Sequence, residues 1–566
     1  MQGFYEFYID VLMRLDKQRP RQGLDGEALQ ASESGRARSL LELLTEAHAD
    51  IRQGVDPKLL EGERSLQQLL NGKAERQMRL LSGAHTEEQA VEAAKEIAVL
   101  ETEYQQVEGK IRATSPRYAA LTQPQPLTAE QIQQLLDKET LMLEYSLGDE
   151  RSYLWAVSQA GIASFELAKR EVIEAAARRF YDRLTARNKR VNGETNEQRQ
   201  VRVAHADADV SAASEALSKL ILGPVSTELG TKRLVIVADG ALQYIPFGAL
   251  PAVPTQISAE SGGRPGNQSP TPTPQPLIVE HEVVTLPSAS TLSVIRREVA
   301  GRQPAPKTIV ALADPVFMKD DERVTRGANR GKNSRNTQES NPATNSVKPE
   351  NGKDLQLVEA AQETGLASGG LEVPRLPGSR KEAERIIAMV PKSESKLVLD
   401  FAASRKTATS PDLSQYRYVH FSTHGFLNSV HPELSGIVLS LVNERGESQD
   451  GFLRAHEIFN LKLPAELVVL SACQTGIGRE VKGEGMVSLT RGFMYAGAPR
   501  VVVSLWSVSD LGTEKLMVRF YHELMKEGKP PGAALRAAQL SLMTDKDKRW
   551  AEPFYWAPFI VQGDWR

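Results

Sequence analysis

Leu467-Val468-Val469-Leu470-Ser471-Ala472-Cys473-Gln474-Thr475-Gly476 is the stretch on which the reading of this sequence turns. Four apolar residues without polar alternation suit a strand covered on both faces of a parallel sheet, and the small polar residues after them mark its end. Tyr418-Val419-His420-Phe421-Ser422-Thr423-His424-Gly425 has the same texture, an apolar run closing in small polar residues and glycine. Parallel α/β sheets carry their chemistry at the carboxyl ends of their strands. If these two strands are parallel neighbours, the imidazole of His424 and the thiol of Cys473 emerge side by side at one sheet edge.

The pattern repeats outward from them. Leu234-Val235-Ile236-Val237, Thr308-Ile309-Val310-Ala311-Leu312, Lys396-Leu397-Val398-Leu399 and Val501-Val502-Val503-Ser504-Leu505 are further runs of the same kind, parted by helical patterns. The expected fold class is therefore α/β, with a mostly parallel sheet flanked by helices. Upstream, Leu141–Tyr145, Ser152–Val157 and Ala163–Leu167 read as short strands parted by Gly148-Asp149 and Gly161, with a helix from about Glu171. Arg178–Arg202 holds eight basic residues against three acidic ones and reads as a solvated helical face and loop.

Before residue 115 the texture differs. No Phe, Trp or Tyr occurs between Tyr8 and Tyr104, while Leu, Ala, Glu, Gln, Lys and Arg dominate, so the first domain is expected to be all helical. Ala90, Ala93, Ile97, Leu100, Tyr104, Val107 and Ile111 form a coiled-coil seam. The segment Pro57–Leu81 is joined to it through Ser82-Gly83-Ala84-His85, which predicts an antiparallel helical hairpin. Ser115-Pro116 and Gln123-Pro124-Gln125-Pro126 break the pattern. The expected domains are 1–115, helical; 116–139, linker; 140–300, a non-catalytic subdomain; and 301–566, the catalytic part. Two stretches cannot pack and are expected to be disordered insertions, 251–276 with seven prolines, and 320–354 with only Val324 and Val347 as large apolar residues.

The 566 residues, 25% charged, with a net charge of −3, leave no bulk electrostatic reason to bind nucleic acid. No run of about 18 apolar residues suggests a membrane span, and Met1–Glu6 lacks the basic region of a secretory leader, so the expected compartment is cytoplasmic. The single cysteine, Cys473, excludes an internal disulfide and any zinc site built on several cysteines. No metal and no cofactor is expected.

A lone thiol at a strand end beside a histidine suits nucleophilic attack on a carbonyl, with the imidazole managing the proton. Backbone N–H groups beside both residues, on Gly425 and Cys473, are candidates to meet the oxyanion. His420-Phe421-Ser422-Thr423-His424-Gly425 and Leu470–Gly476 resemble the two catalytic motifs of CHAT domains, caspase-like peptidases that usually accompany TPR repeats. Asp239–Phe247, Leu376-Pro377-Gly378-Ser379-Arg380, Gly483-Glu484-Gly485-Met486 and Ser504–Asp510 follow in the family's order, so the likeness covers roughly 140–566. The 49 residues from His424 to Cys473 also approach the spacing of about 50 seen in caspases. The resemblance implies a caspase-like fold and cysteine endopeptidase activity on a protein substrate, with His424 and Cys473 as the dyad and His420 structural.

The family also resembles separases and gingipains, and by that likeness Asp510 is a substrate-binding acid that favours Lys or Arg before the cut. The alternative for Asp510 is an N-cap of a helix beginning near Leu511. No 34-residue TPR repeat is found, so only the helical region and its hairpin remain as a place for a regulatory protein to dock. Two rival functions stand beside the peptidase. One is an inactive scaffold with the same fold. The other is a phosphatase, because Cys473 to Arg479 forms a C-x5-R string, although Ala472 and Glu480 depart from that pattern and His424 is then left without a role. Gly327–Asn333 is no P-loop, and His456-Glu457 and His522-Glu523 lack the second histidine of a zinc peptidase.

Overall fold

The computed structural model describes residues 2–46, isolated positions between 56 and 110, 126–189, 191, 193–253, 275–324, 373–426, 435–471, 473–474, 484–507 and 509–566. In chain order its strands are β1 (Thr140–Ser146), β2 (Ser152–Ser158), β3 (Gly161–Leu167), β4 (Arg233–Val237), β5 (Val283–Thr285), β6 (Lys307–Ala313), β7 (Ser395–Leu399) and β8 (Tyr416–Ser422). They continue with β9 (His424–Phe426), β10 (Gly436–Val438), β11 (Phe452–Arg454), β12 (Leu467–Leu470), β13 (Cys473–Gln474), β14 (Arg500–Ser504) and β15 (Phe559–Gly563).

Eleven strands make one sheet in the order β3-β2-β1-β4-β5-β15-β14-β12-β8-β6-β7. Only β1–β2, β2–β3 and β14–β15 pair antiparallel, so the sheet is mostly parallel, as the non-alternating runs require. All four residues of β12 are buried, and Leu234 to Val237 of β4 are fully enclosed. The helices Pro377–Ile387 and Asp510–Met525 pack against each other, and the former also lies on β6, β7 and β8. Pro377 opens its helix where a missing N–H costs nothing.

The two halves expected as separate subdomains share this one sheet. β15 is the joint: it runs antiparallel to β14 and parallel to β5, where Gln562 is opposite Thr285. The hydroxyl of Thr285 donates to the Val561 carbonyl across the joint, at 3.1 Å.

The first domain boundary falls elsewhere than expected. Met1–Arg36 belongs to the same compact unit as Leu127–Arg566, and Ala37–Pro126 forms a second unit. Charge and burial account for this. Asp10 accepts from Tyr153 Oη at 2.8 Å and pairs with Arg151 at 3.1 Å, while Glu6 pairs with Arg170 at 2.7 Å. Glu33, wholly buried, accepts the N–H groups of Ala289 and Ser290 at 2.9 and 2.7 Å, at the start of the helix Ala289–Val299. The expected linker likewise contains a helix, Ala129–Leu135, started by a Thr128–Gln131 capping box.

The coiled-coil seam and hairpin lie largely outside the described residues, as do 254–274 and 325–354 of the two insertions. The base of the first insertion is closed by a bridge between Pro251 and Pro276. The start of the second is ordered, because Arg323 is drawn into a network of carboxylates described below. No described helix is long and apolar enough to cross a membrane.

Candidate functional site

Strands β8 and β12 are parallel neighbours, with Phe421 opposite Leu470. The Ser471 N–H donates to the Phe421 carbonyl at 2.9 Å, and both chains then leave the large sheet. They pair again as β9 and β13, with Cys473 opposite His424 and Gln474 opposite Gly425, still parallel. The register survives because His424 and Cys473 stand the same number of residues beyond Phe421 and Leu470. These strands belong to a small sheet ordered β11-β10-β9-β13. Thr423, fully buried, donates its hydroxyl to the Val438 carbonyl and so fixes the turn from β8 into β9 against β10.

His424 is 2% exposed. Its Nε2 lies 2.7 Å from the carbonyl oxygen of Pro374, an acceptor only, so Nε2 carries the proton. Its Nδ1 is buried with no hydrogen-bond partner among the described residues. The Phe317 ring lies 5.3 Å away, centroid to centroid. Burial pushes the imidazole pKa below its ordinary value, opposed by the Pro374 bond and by the negative charge of Asp510. A neutral imidazole with one nitrogen committed and the other bare is in the form a general base needs.

His420, fully buried in the middle of β8, points elsewhere. Its Nδ1 is 3.1 Å from Tyr521 Oη and its Nε2 is 2.9 Å from Glu382 Oε1. It ties the sheet to the helices Pro377–Ile387 and Asp510–Met525 and takes no part in the pairing of β9 with β13.

Asp510 is not an N-cap. That position is held by Ser509, whose hydroxyl accepts from the Gly512 N–H at 3.4 Å, and Asp510 is the first helical residue. Its carboxylate reaches across to accept the Gly378 N–H, at 3.2 Å, at the start of the neighbouring helix Pro377–Ile387. A Cβ on residue 378 would collide with the Asp510 side chain, so glycine is what permits this approach.

Tertiary structure thus brings together His424, Gly425 and the Cys473 backbone, and sets Asp510 close enough to act on the His424 proton. Residues 475–480 of the rival C-x5-R string lie outside the described residues. The Pro374 carbonyl was missed from sequence. A backbone acceptor carries no residue signature, and only its position just before Leu376–Arg380 hinted at it. Among the described residues no group of His, Cys, Asp and Glu could hold a metal ion.

The family profile described as "CHAT domain" matches residues 211–564. Tetratricopeptide repeat protein 28 of Homo sapiens is 35% identical over 115 residues, and its Mus musculus counterpart 36% over 114. Each match spans 20% of this chain and only 4% of the relative's length. Two crystal structures of the Saccharomyces cerevisiae separase–securin complex align over 95% of this chain and 40% of theirs, at TM-scores of 0.40 and 0.43 and 9% identity.

Proposed function

This chain belongs to the CHAT-domain family, and from that membership we propose that it is a caspase-like cysteine endopeptidase acting on a protein substrate. The observation that carries the proposal is the direct opposition of Cys473 and His424 in a parallel ladder, with Nε2 of His424 engaged by Pro374. In the proposed reaction Nδ1 of His424 takes the thiol proton as the Cys473 sulfur bonds to the scissile carbonyl carbon. The N–H groups of Gly425 and Cys473 stabilise the oxyanion. The imidazolium returns its proton to the leaving amine as the C–N bond breaks, and water then hydrolyses the thioester, releasing the acid and restoring the thiol.

Asp510 supplies the acidic group that selects Lys or Arg before the cut, through a charge-assisted hydrogen bond. A regulatory protein docks on the helical N-terminal domain expected over 1–115, and the enzyme works in the cytoplasm. An electrophilic peptide probe ending in Lys or Arg tests the proposal. Labelling of Cys473 that is lost in both Cys473→Ala and His424→Ala supports it. A thiol equally unreactive in the wild type and in His424→Ala overturns it.

A further inference from the structure

At the end of β6, Asp314 adopts φ +47°, in the left-handed region that few residues other than glycine and Asx types visit, and it is completely buried. Three arginines converge on its carboxylate. Arg375 grips it as a fork, Nε to Oδ1 at 3.0 Å and Nη2 to Oδ2 at 2.9 Å. Arg380 Nε reaches Oδ2 at 2.8 Å, and Arg323 Nη1 reaches Oδ1 at 3.1 Å. Arg323 and Arg380 are also shared with Asp400, at the end of the adjacent parallel strand β7, and Arg323 with Asp321. The Arg323 hydrogen bond holds the Asp321 carboxyl down to about 2.

The segment 374–380 is strapped over this carboxylate. Ser379 Oγ accepts the Asp314 N–H at 3.0 Å and donates to the Leu376 carbonyl at 2.7 Å, and Gly378 N–H is taken by Asp510. Pro374 itself is solvent-exposed and has no N–H with which to anchor its own position. Of the three arginines on Asp314, only Arg375 shares a peptide bond with Pro374, and so only it fixes the plane of the carbonyl that His424 meets.

We infer that Arg375 is a positioning residue for His424: its fork onto Asp314 aims the Pro374 carbonyl at Nε2 and thereby leaves Nδ1 as the bare nitrogen. The inference rests on the assignment of His424 as the base of a peptidase, and it adds the residue that sets the tautomer of that base. A lysine in its place keeps the charge but not the two parallel N–H bonds, so it does not replace the fork.

The test reads the His424 tautomer in full-length protein labelled with nitrogen-15 histidine, the resonance being assigned by its loss in His424→Gln. Wild type is expected to hold the Nε2–H form. Arg375→Met is expected to shift it toward Nδ1–H and to lower kcat on a Lys/Arg peptide by roughly 10- to 100-fold with KM nearly unchanged, as when a catalytic histidine loses its orienting group. Arg380→Met also strips a guanidinium from Asp314 and is expected to keep the Nε2–H form. If Arg375→Met fails to fold, Arg375→Lys carries the test and is expected to shift the tautomer in the same direction. An unchanged tautomer in the Arg375 variant, or an equal shift in Arg380→Met, overturns the inference. A wild-type thiol that ignores the electrophilic probe, with the tautomer still governed by Arg375, sinks the peptidase proposal and leaves this one standing.

Discussion

The Nε2–H of His424 donates to the carbonyl oxygen of Pro374 at 2.7 Å, across fifty residues of sequence. A neutral imidazole has one N–H, so this contact alone decides which nitrogen can accept a proton. Burial keeps the ring in that neutral form further into the acid range than an ordinary histidine.

The acid limb of the kcat/KM profile is therefore expected below pH 6.5. Stability follows the same sign. The unfolded chain binds a proton at about 6.5 and the folded one only at lower pH, so stability present above 6.5 is lost as pH falls. Urea unfolding on either side of that pH, in wild type and His424→Gln, checks this. The variant is expected to show the weaker acid dependence.

Asp510→Asn is expected to reduce cleavage after Lys and Arg by roughly 10- to 100-fold while sparing reaction with a small thiol reagent. The charge of Asp510 raises the His424 pKa, so its loss also moves the acid limb to lower pH. A peptide library and a pH series read the two effects separately, and an unchanged preference would remove Asp510 from the pocket.

Gly378→Ala puts a methyl group into the space of the Asp510 side chain. The expected cost is about 1–3 kcal/mol from overpacking. Specificity for Lys and Arg should suffer with it, because Asp510 must move. Comparing the denaturation midpoint with the cleavage preference of the variant tests both.

Tyr521→Phe removes the hydroxyl that meets Nδ1 of the buried His420, leaving a polar atom without a partner. A loss of about 1–3 kcal/mol is expected in chemical denaturation. Reactivity of Cys473 should persist, since His420 lies outside the β9–β13 pairing.

Glu33→Ala deprives the Ala289 and Ser290 N–H groups of their acceptor inside the protein, with an expected cost of about 2–3 kcal/mol. Burial, and then the charge of Glu33, hold the Glu144 carboxyl well above its ordinary range, so the variant is also expected to lower the Glu144 pKa. Infrared spectroscopy of the protonated carboxyl follows that change.

Runs such as Leu234–Val237 and Leu467–Leu470 were legible as strands because burial on both faces removes polar alternation, a local signal. β5, with three residues, and β9 to β11 and β13 are too short to show any period, and β15 mixes aromatic, polar and glycine residues. The helix Gln2–Gln18 was legible as a helix but not its place. An apolar face says that something covers it, and only Ile9, Leu12 and Met13 in the core of the sheet's unit say what. Asp510 illustrates the same gap: a carboxylate before a helical run looks like a cap until the neighbouring helix offers a better N–H.

That His424 and Cys473 each close an apolar run was legible in sequence alone, because residue type and strand-end texture are local properties. So was the class of sheet that carries them. Three things were decided only when distant segments met: the equal offset that sets Cys473 opposite His424, the Pro374 carbonyl that selects the tautomer, and the Asp314 carboxylate under Arg375. Each depends on backbone atoms or on charges brought together from strands far apart in the chain, and neither leaves a periodic trace in the order of residues.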